Sequence, residues 1–114
     1  MILSKEAILN ADDLPKKTVK VKEWGGEVIV RSMTGTERDA WELETYGTGK
    51  ANLDNARARL VAMTIIDENG ERLFTLDETE LLGNKSAKAL TKVFNAAQKL
   101  NGLGAGDVEE LAGE

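Results

Sequence analysis

The sequence predicts an α+β domain in which an N-terminal β-hairpin and a second short hairpin pack with about four helices. Two observations predict the hairpins, since Gly25-Gly26 separates two β-branched runs and Asn69-Gly70 is a typical hairpin turn. A third predicts the main helix, because apolar side chains recur at steps of three and four over residues 86–101. We predict one domain over residues 1–103 and a flexible acidic tail over 104–114.

The composition excludes most catalytic and metal chemistry. The chain has no cysteine and no histidine, so it lacks thiolates, disulfides and the commonest metal ligand and general base. We therefore predict that the protein is not an enzyme and holds no cofactor or metal. A cytoplasmic location is expected, because the start MILSKEAILN carries an acid within its apolar stretch and resembles neither a signal peptide nor a membrane span.

The chain is acidic, but its charge is unevenly distributed. The net charge is −5, and the last eight residues, DVEELAGE, hold four acids and no base. The basic cluster is interpreted as solvated lysines and comprises Lys16, Lys17, Lys20 and Lys22. Binding to nucleic acid is not expected, because it needs a broader basic face.

The first predicted element is a short helix after Ser4, a candidate N-cap, with Ile8 and Leu9 facing inward. The hairpin follows. If Gly25 and Gly26 alone form the turn, with positive φ angles, Trp24 pairs with Glu27 and Val21 pairs with Val30. Alternation then gives a core face of Val19, Val21, Val28 and Val30, and an opposite face of Lys20, Lys22, Trp24, Ile29 and Arg31.

Two helices are predicted between the hairpins. Thr36 and Asp39 resemble a capping box that starts the first helix, which carries Trp41 and Tyr46 and ends at Gly47. The second begins near Asp54 and carries Ala56, Leu60 and Met63 at helical spacing. Its end stays open between helix and strand, because MTII is rich in β-branched residues.

The C-terminal half is predicted to hold the second hairpin and the central helix. Residues 64–66 and 72–74 are expected to pair as strands, and residues 77–82 to form one or two helical turns that stop at Gly83. Ser86 caps the central helix, and Asn101 to Gly106 forms its C-cap and a linker. Its apolar stripe comprises Ala87, Leu90, Val93, Phe94, Ala97 and Leu100, with Lys88, Lys92, Gln98 and Lys99 opposite.

Three patterns that could carry chemistry are interpreted as structural. The acids lack the aromatic-lined cleft that a glycosidase-type pair needs, so they are taken as solvated. The DENGE stretch fails as a calcium loop, because Leu73 falls where the seventh position of such a loop would lie. Gly102, Gly104 and Gly106 precede no helix N-terminus with a basic anchor, so phosphate binding is not predicted.

The hairpin tip is the candidate partner-binding site. In the predicted register Trp24 and Ile29 are diagonal neighbours on the charged face, presented by Gly25 and Gly26. Two interpretations stay open: the chain's own helices cover this apolar spot, or the spot contacts a partner, for which tryptophan is a frequent anchor.

The segment VKEWGGEVIVRSMTGTE, residues 21–37, resembles a recurring signature of tail assembly chaperones of long-tailed bacteriophages and prophages. The segments LSKEAILNADDLP, DENG followed by Leu-Phe, Leu-Leu-Gly, and Leu-Asn-Gly-Leu are also similar to that family, so the resemblance covers most of residues 2–103. This sequence departs from the family pattern at two places. It has Lys-Glu-Trp where a proline often precedes Glu-Trp, and its C-terminal linker is short and rich in glycine.

The resemblance implies a cytoplasmic assembly factor that binds the tape measure protein while the major tail protein polymerises around it, and that is absent from the virion. A homo-oligomer is expected, with no nucleic-acid or membrane partner. A second hypothesis, from the net charge of −5, is an acidic inhibitor or DNA mimic that binds a host factor. A third, a carboxylate enzyme, would need a cleft with two buried acids.

Overall fold

The computed structural model describes residues 1–103, so the predicted acidic tail lies outside the described residues. The α+β class is confirmed, with an antiparallel sheet of three strands in the order β1-β2-β3. The strands are β1 (Lys16–Val21), β2 (Gly26–Arg31) and β3 (Ile65–Ile66). The helices are α1 (Lys5–Asn10), α2 (Gly35–Tyr46), α3 (Ala56–Thr64), α4 (Thr79–Gly83) and α5 (Ala87–Leu100).

The first hairpin is confirmed, but its predicted register is wrong. Val21 pairs with Gly26 and Val19 with Val28, instead of Val21 with Val30. The connection is longer than two glycines, because Lys22–Trp24 forms a 3₁₀ turn that Gly25 closes by donating its N–H to the Lys22 carbonyl at 3.1 Å.

The packing of Trp24 explains this difference. A continued strand would have pointed Trp24 away from the valine face, whereas the 3₁₀ turn lets its ring pack against the apolar core. Burying an aromatic ring outweighs the few ladder pairs that the turn gives up. The predicted core face of four valines is confirmed, because pairing Val19 with Val28 still places all four on one side of the sheet.

The second hairpin is smaller than predicted. Thr64 ends α3, where its hydroxyl donates to the Leu60 carbonyl at 2.8 Å, and only Ile65 and Ile66 form a strand. This strand pairs with β2 and thereby completes the sheet, a pairing that the sequence did not reveal. Across the turn, the expected strand is reduced to a single bridge between Ile66 and Arg72, while Gly70 has a positive φ of 84° at the predicted turn.

The N-cap of α2 lies two residues before the predicted one. Thr34, and not Thr36, accepts the N–H of Glu37 at 3.1 Å, and the Glu37 carboxylate accepts the N–H of Thr34 at 2.9 Å. The longer Glu37 reaches back to the N-cap amide, which favours this pair over Thr36 and Asp39.

Helix α1 forms as predicted but does not pack as predicted. The Ser4 hydroxyl accepts the N–H of Ala7 at 3.1 Å, which confirms the N-cap. Ile8 and Leu9 do not face inward, since 57% and 72% of their surfaces are exposed. Among residues 1–103, no α1 side chain is buried.

The core lies between the valine face of the sheet and helices α3 and α5. Helix α3 is almost entirely buried, and α5 contributes Leu90, Val93 and Ala97 to the same cluster. The Ser86 cap of α5 is confirmed, because its hydroxyl accepts the N–H of Ala89 at 3.2 Å. Gln98 was predicted on the solvent side but is buried, because α5 is covered by both the sheet and α3.

Candidate interaction surfaces

The predicted apolar spot at the hairpin tip does not form. Trp24 packs against the core, whereas Ile29 pairs with Thr18 on one side and Ile66 on the other. Of the two glycines, only Gly25 has a positive φ, 74°, and Gly26 is the first residue of β2. The structure therefore places Trp24 and Ile29 apart, with Trp24 against the chain's own core.

The hairpin tip is fastened to α5 by an ion pair. The Lys92 ammonium lies 3.2 Å from Glu23 Oε1. A hydrogen bond from its own backbone amide, followed by the hydrogen bond from Lys92, lowers the pKa of Glu23 below its ordinary value. The turn is thus held from both the core side, by Trp24, and the helix side.

The strand-to-helix segment of the recurring signature is a structural junction. The Arg31 guanidinium contacts both Glu37 carboxylate oxygens, at 2.7 and 2.9 Å, and donates to the Gly70 carbonyl at 3.1 Å. Arg31 and Glu37 are both largely buried. One ion pair therefore joins the end of β2, the start of α2 and the second turn, which explains why arginine and glutamate occur at this spacing.

The Leu-Asn-Gly-Leu segment is a second junction. Leu103 donates its N–H to the Gln98 carbonyl at 2.8 Å, and Gly102, with φ of 68°, donates to Lys99 at 3.3 Å. These two bonds form a Schellman cap. Asn101 accepts the N–H of Met33 at 2.7 Å and so ties the end of α5 to the segment after β2.

A buried arginine that the sequence did not single out shapes the loop before α3. Only 4% of Arg59 is exposed, and its guanidinium donates to the carbonyls of Asn52 and Asp54 at 3.0 and 2.6 Å. The loop closes on itself, because Asn52 in turn donates its N–H to the Thr45 carbonyl at 2.7 Å. The helical spacing of Ala56, Leu60 and Met63 predicted a buried face of α3. It did not indicate that a charged residue, Arg59, would be buried there as well.

Helix α2 carries the two aromatic side chains predicted on one face. The Trp41 and Tyr46 rings meet edge to face with centroids 5.9 Å apart, and the Arg38 guanidinium lies 5.6 Å from the Trp41 centroid. Burial raises the pKa of Tyr46, and the nearby Glu42 carboxylate adds to this rise. This cluster is part of the packing of α2 rather than a reactive site.

Most of the exposed large apolar side chains of residues 1–103 lie in the N-terminal arm, which we define as residues 1–13. Its exposed large apolar side chains are Met1, Ile2, Leu3, Ile8 and Leu9. Isolated surface leucines also occur elsewhere, at Leu43, Leu53, Leu73 and Leu81. Single exposed apolar residues are common in soluble proteins, whereas a contiguous group indicates an interaction site.

A groove lies between the start of α3, the residues after α4 and one face of α5. Its volume is about 640 Å³. We call it the α3-α5 groove. The apolar part of its lining includes Leu53, Leu90 and Phe94, and its charged side chains are the cations Arg57 and Lys85. Its exposed lining is polar and apolar in about equal parts, so it offers apolar contacts at Leu53 and Phe94 rather than a continuous hydrophobic pocket.

The described residues offer no arrangement suited to metal binding. In residues 1–103, no three acidic side chains come together as a metal site. Over the same residues, no helix has the length and apolar content needed to cross a bilayer.

Comparison with known proteins rests on structure. The sequence matches no protein-family model and no curated protein sequence. The fold, however, is similar to the solved structure of the bacteriophage HK97 tail assembly chaperone, with a TM-score of 0.60 and 21% sequence identity. The match covers 83% of this chain and 90% of that one. The chain has the fold of a tail assembly chaperone. The family resemblance of the sequence is thus confirmed at the level of the fold.

Proposed function

We propose that this protein is a phage tail assembly chaperone that binds the tape measure protein and assists tail tube polymerisation in the host cytoplasm without being retained in the virion. The observation that carries the proposal is the fold match over 90% of the HK97 tail assembly chaperone, on a chain whose motifs independently resemble that family. It acts by binding proteins rather than by catalysis. Its partners are the tape measure protein and the major tail protein.

Exposed apolar surface on a stable core supports this mode of action. A chaperone of this kind must offer apolar contacts to an aggregation-prone client while it stays folded itself. The N-terminal arm provides such contacts, and so do the exposed Leu53 and the partly buried Phe94 of the α3-α5 groove. Many weak contacts along a long client add up through multivalency.

The test is co-expression with the tape measure protein of the same phage or prophage. We expect the tape measure protein to move from the pellet to the soluble fraction and to co-purify with this chain. A small acidic protein of equal size serves as the control. Unchanged solubility of the tape measure protein, with this chain folded by circular dichroism, would show that the proposal is wrong.

The salt dependence of the complex separates this function from that of a DNA mimic. Of the 20 acidic side chains, four lie after residue 103, which leaves 16 acids against 15 bases in the described part. Apolar contacts of a near-neutral domain should survive an increase from about 0.1 to about 1 M salt, because screening weakens only the charged ones. Loss of the complex at high salt would favour the mimic.

The partner-binding role predicted for Trp24, Gly25, Gly26 and Ile29 stays a prediction. Because Trp24 packs against the core, we expect Trp24→Ala to lower the stability of the domain. If Trp24→Ala instead leaves stability unchanged and weakens client binding, the hairpin tip is the contact surface.

A further inference from the structure

We propose that the acidic tail, residues 104–114, runs back over α5 and covers the α3-α5 groove of its own molecule. The proposal concerns this chain alone and does not depend on the identity of the client. Its basis is the charge of the groove, the composition of the tail and the position at which the chain leaves α5.

The α3-α5 groove is lined by cations and by a few apolar side chains. Its charged side chains are Arg57 and Lys85, both exposed, and no acidic residue of the described part of the chain lines it. Beside them lie two apolar contacts, at the exposed Leu53 and the partly buried Phe94. A segment that matches this groove therefore needs carboxylates together with a few apolar side chains, because a purely apolar segment would leave the two cations unpaired.

The acidic tail has this composition. Its large apolar residues are Val108 and Leu111, and it carries four acids and no base. Residues 1–103 hold the other 16 of the 20 acids against 15 bases, so the tail carries most of the net negative charge of the chain. The two apolar side chains and the carboxylates of the tail thus correspond to the two apolar contacts and the two cations of the groove.

The tail leaves the described body beside the groove. Leu103 donates its N–H to the Gln98 carbonyl at 2.8 Å, and Gln98 is one of the residues that line the groove. From Gln98 the groove extends along α5 to Ala87, a distance of about 17 Å at the rise of an α-helix. The eleven residues of the tail can span up to about 36 Å, which is enough to reach the far end. Gly104 and Gly106 permit the change of direction that this path needs.

The covalent connection makes weak contacts sufficient. An exposed ion pair contributes little by itself, and two apolar side chains bury only a small area. A segment that is joined to its site by a short linker, however, has an effective concentration in the millimolar range at that site. The tail therefore acts as a reversible cover: it shields Leu53 and Phe94 in the free protein, and a partner that uses the groove must displace it.

The experiment places a nitroxide spin label on the tail of the full chain. Because the protein has no cysteine, Ala112→Cys gives a single labelling position. The nitroxide broadens the NMR signals of nearby amides, and chemical reduction of the label gives the reference spectrum. We expect a loss of signal at residues 85–90, which form the far end of the groove. Signals of residues 99–103 do not count, since the label is tethered beside them.

Two matched charge reversals in the labelled chain give the decisive comparison. Arg57→Glu with Lys85→Glu reverses the cations of the groove, whereas Lys16→Glu with Lys20→Glu reverses two exposed lysines of β1. The groove reversal should recover most of the lost signal at residues 85–90. The β1 reversal changes the net charge equally and should leave the loss as it is.

The apolar and ionic parts of the contact are tested separately. Leu111→Ser removes the larger apolar side chain of the tail and should also recover most of the lost signal. Raising the salt concentration from about 0.1 to about 1 M should recover part of it, because screening weakens the ion pairs and leaves the apolar contacts.

Three results would overturn the proposal. The first is a parent chain that keeps its signals at residues 85–90, or that loses them in spite of the groove reversal. The second is recovery by the β1 reversal alone, which would assign the tail to the lysines of β1. The third is an equal loss in an isotope-labelled chain without nitroxide that is mixed with a nitroxide-labelled chain, which would place the tail in the groove of a second copy. Circular dichroism of each variant shows that it is folded.

Discussion

At the scale of single residues, the two turn glycines have different roles. Gly25 occupies the left-handed region with φ of 74°, where a side chain costs about 1 to 2 kcal/mol. Gly26 lies in β2, and a methyl group added there would meet open space. One glycine therefore shapes the turn while its neighbour is replaceable.

We expect Gly25→Ala to lower the free energy of unfolding by about 1 kcal/mol, because the strain exceeds the entropy that alanine removes from the unfolded chain. Gly26→Ala should leave it unchanged or raise it by up to about 0.5 kcal/mol. Urea denaturation of both variants measures the difference. Equal losses would mean that both glycines need positive φ angles, as the two-residue turn required.

The Arg31–Glu37 ion pair joins three parts of the fold: the end of β2, the start of α2 and the turn at Gly70. Glu37→Ala removes the partner of a largely buried guanidinium and the cap of α2. We expect it to cost about 2 to 3 kcal/mol in unfolding free energy. Glu42→Ala, which breaks the exposed pair with Arg38 at 2.9 Å, is the matched control and should cost no more than about 0.5 kcal/mol. Similar costs for the two variants would contradict the structural role of Glu37.

At the scale of elements, the sequence predicted helices and turns better than it predicted how they pair. The Ser4 and Ser86 caps and the Gly70 turn were predicted correctly, because each depends on a side chain or φ angle within a few residues. The β2-β3 pairing was missed because it joins residues more than 30 positions apart. No local pattern of two isoleucines encodes which strand they will join.

The register error has the same cause. The Gly25-Gly26 pair permitted a two-residue turn, and only the tertiary contact of Trp24 with the core selected the longer one. The predicted adjacency of Trp24 and Ile29 at the hairpin tip failed with the register. The arm was missed because helical spacing shows that a face is apolar but does not show what covers it.

The contact between α3 and α4 explains the glycine that stops α4. A side chain at Gly83 would place its Cβ 2.9 Å from Asn55 Cγ. Asn55 itself has a positive φ of 53° at the start of α3. The close approach at Gly83 and the left-handed backbone at Asn55 therefore involve the same contact, so substitutions at the two positions can be tested together.

We expect Gly83→Ala to cost about 1 to 3 kcal/mol of unfolding free energy, because the Asn55 side chain must leave its position. Asn55→Gly removes the obstructing side chain and suits the left-handed backbone, so it should be neutral or stabilising. In the Asn55→Gly background, Gly83→Ala should cost less than about 0.5 kcal/mol. A double-mutant cycle by urea denaturation measures this coupling. Additive effects would show that Asn55 is not the obstacle.

At the scale of the whole molecule, the body and the arm should make separable contributions to stability. The body includes every buried residue of the described core, whereas residues 1–13 are exposed throughout. Leu14 is partly buried and the Pro15 carbonyl bonds to Ser32, so the body begins there.

Deleting residues 1–13 should therefore leave the thermal midpoint unchanged at low protein concentration, since the deletion removes no core contact. Scanning calorimetry at about 5 µM measures the midpoint, and the Leu43→Ser chain, which loses an exposed apolar side chain elsewhere, serves as the full-length control. A lower midpoint for the truncated chain than for this control would assign the arm to the domain's own core instead.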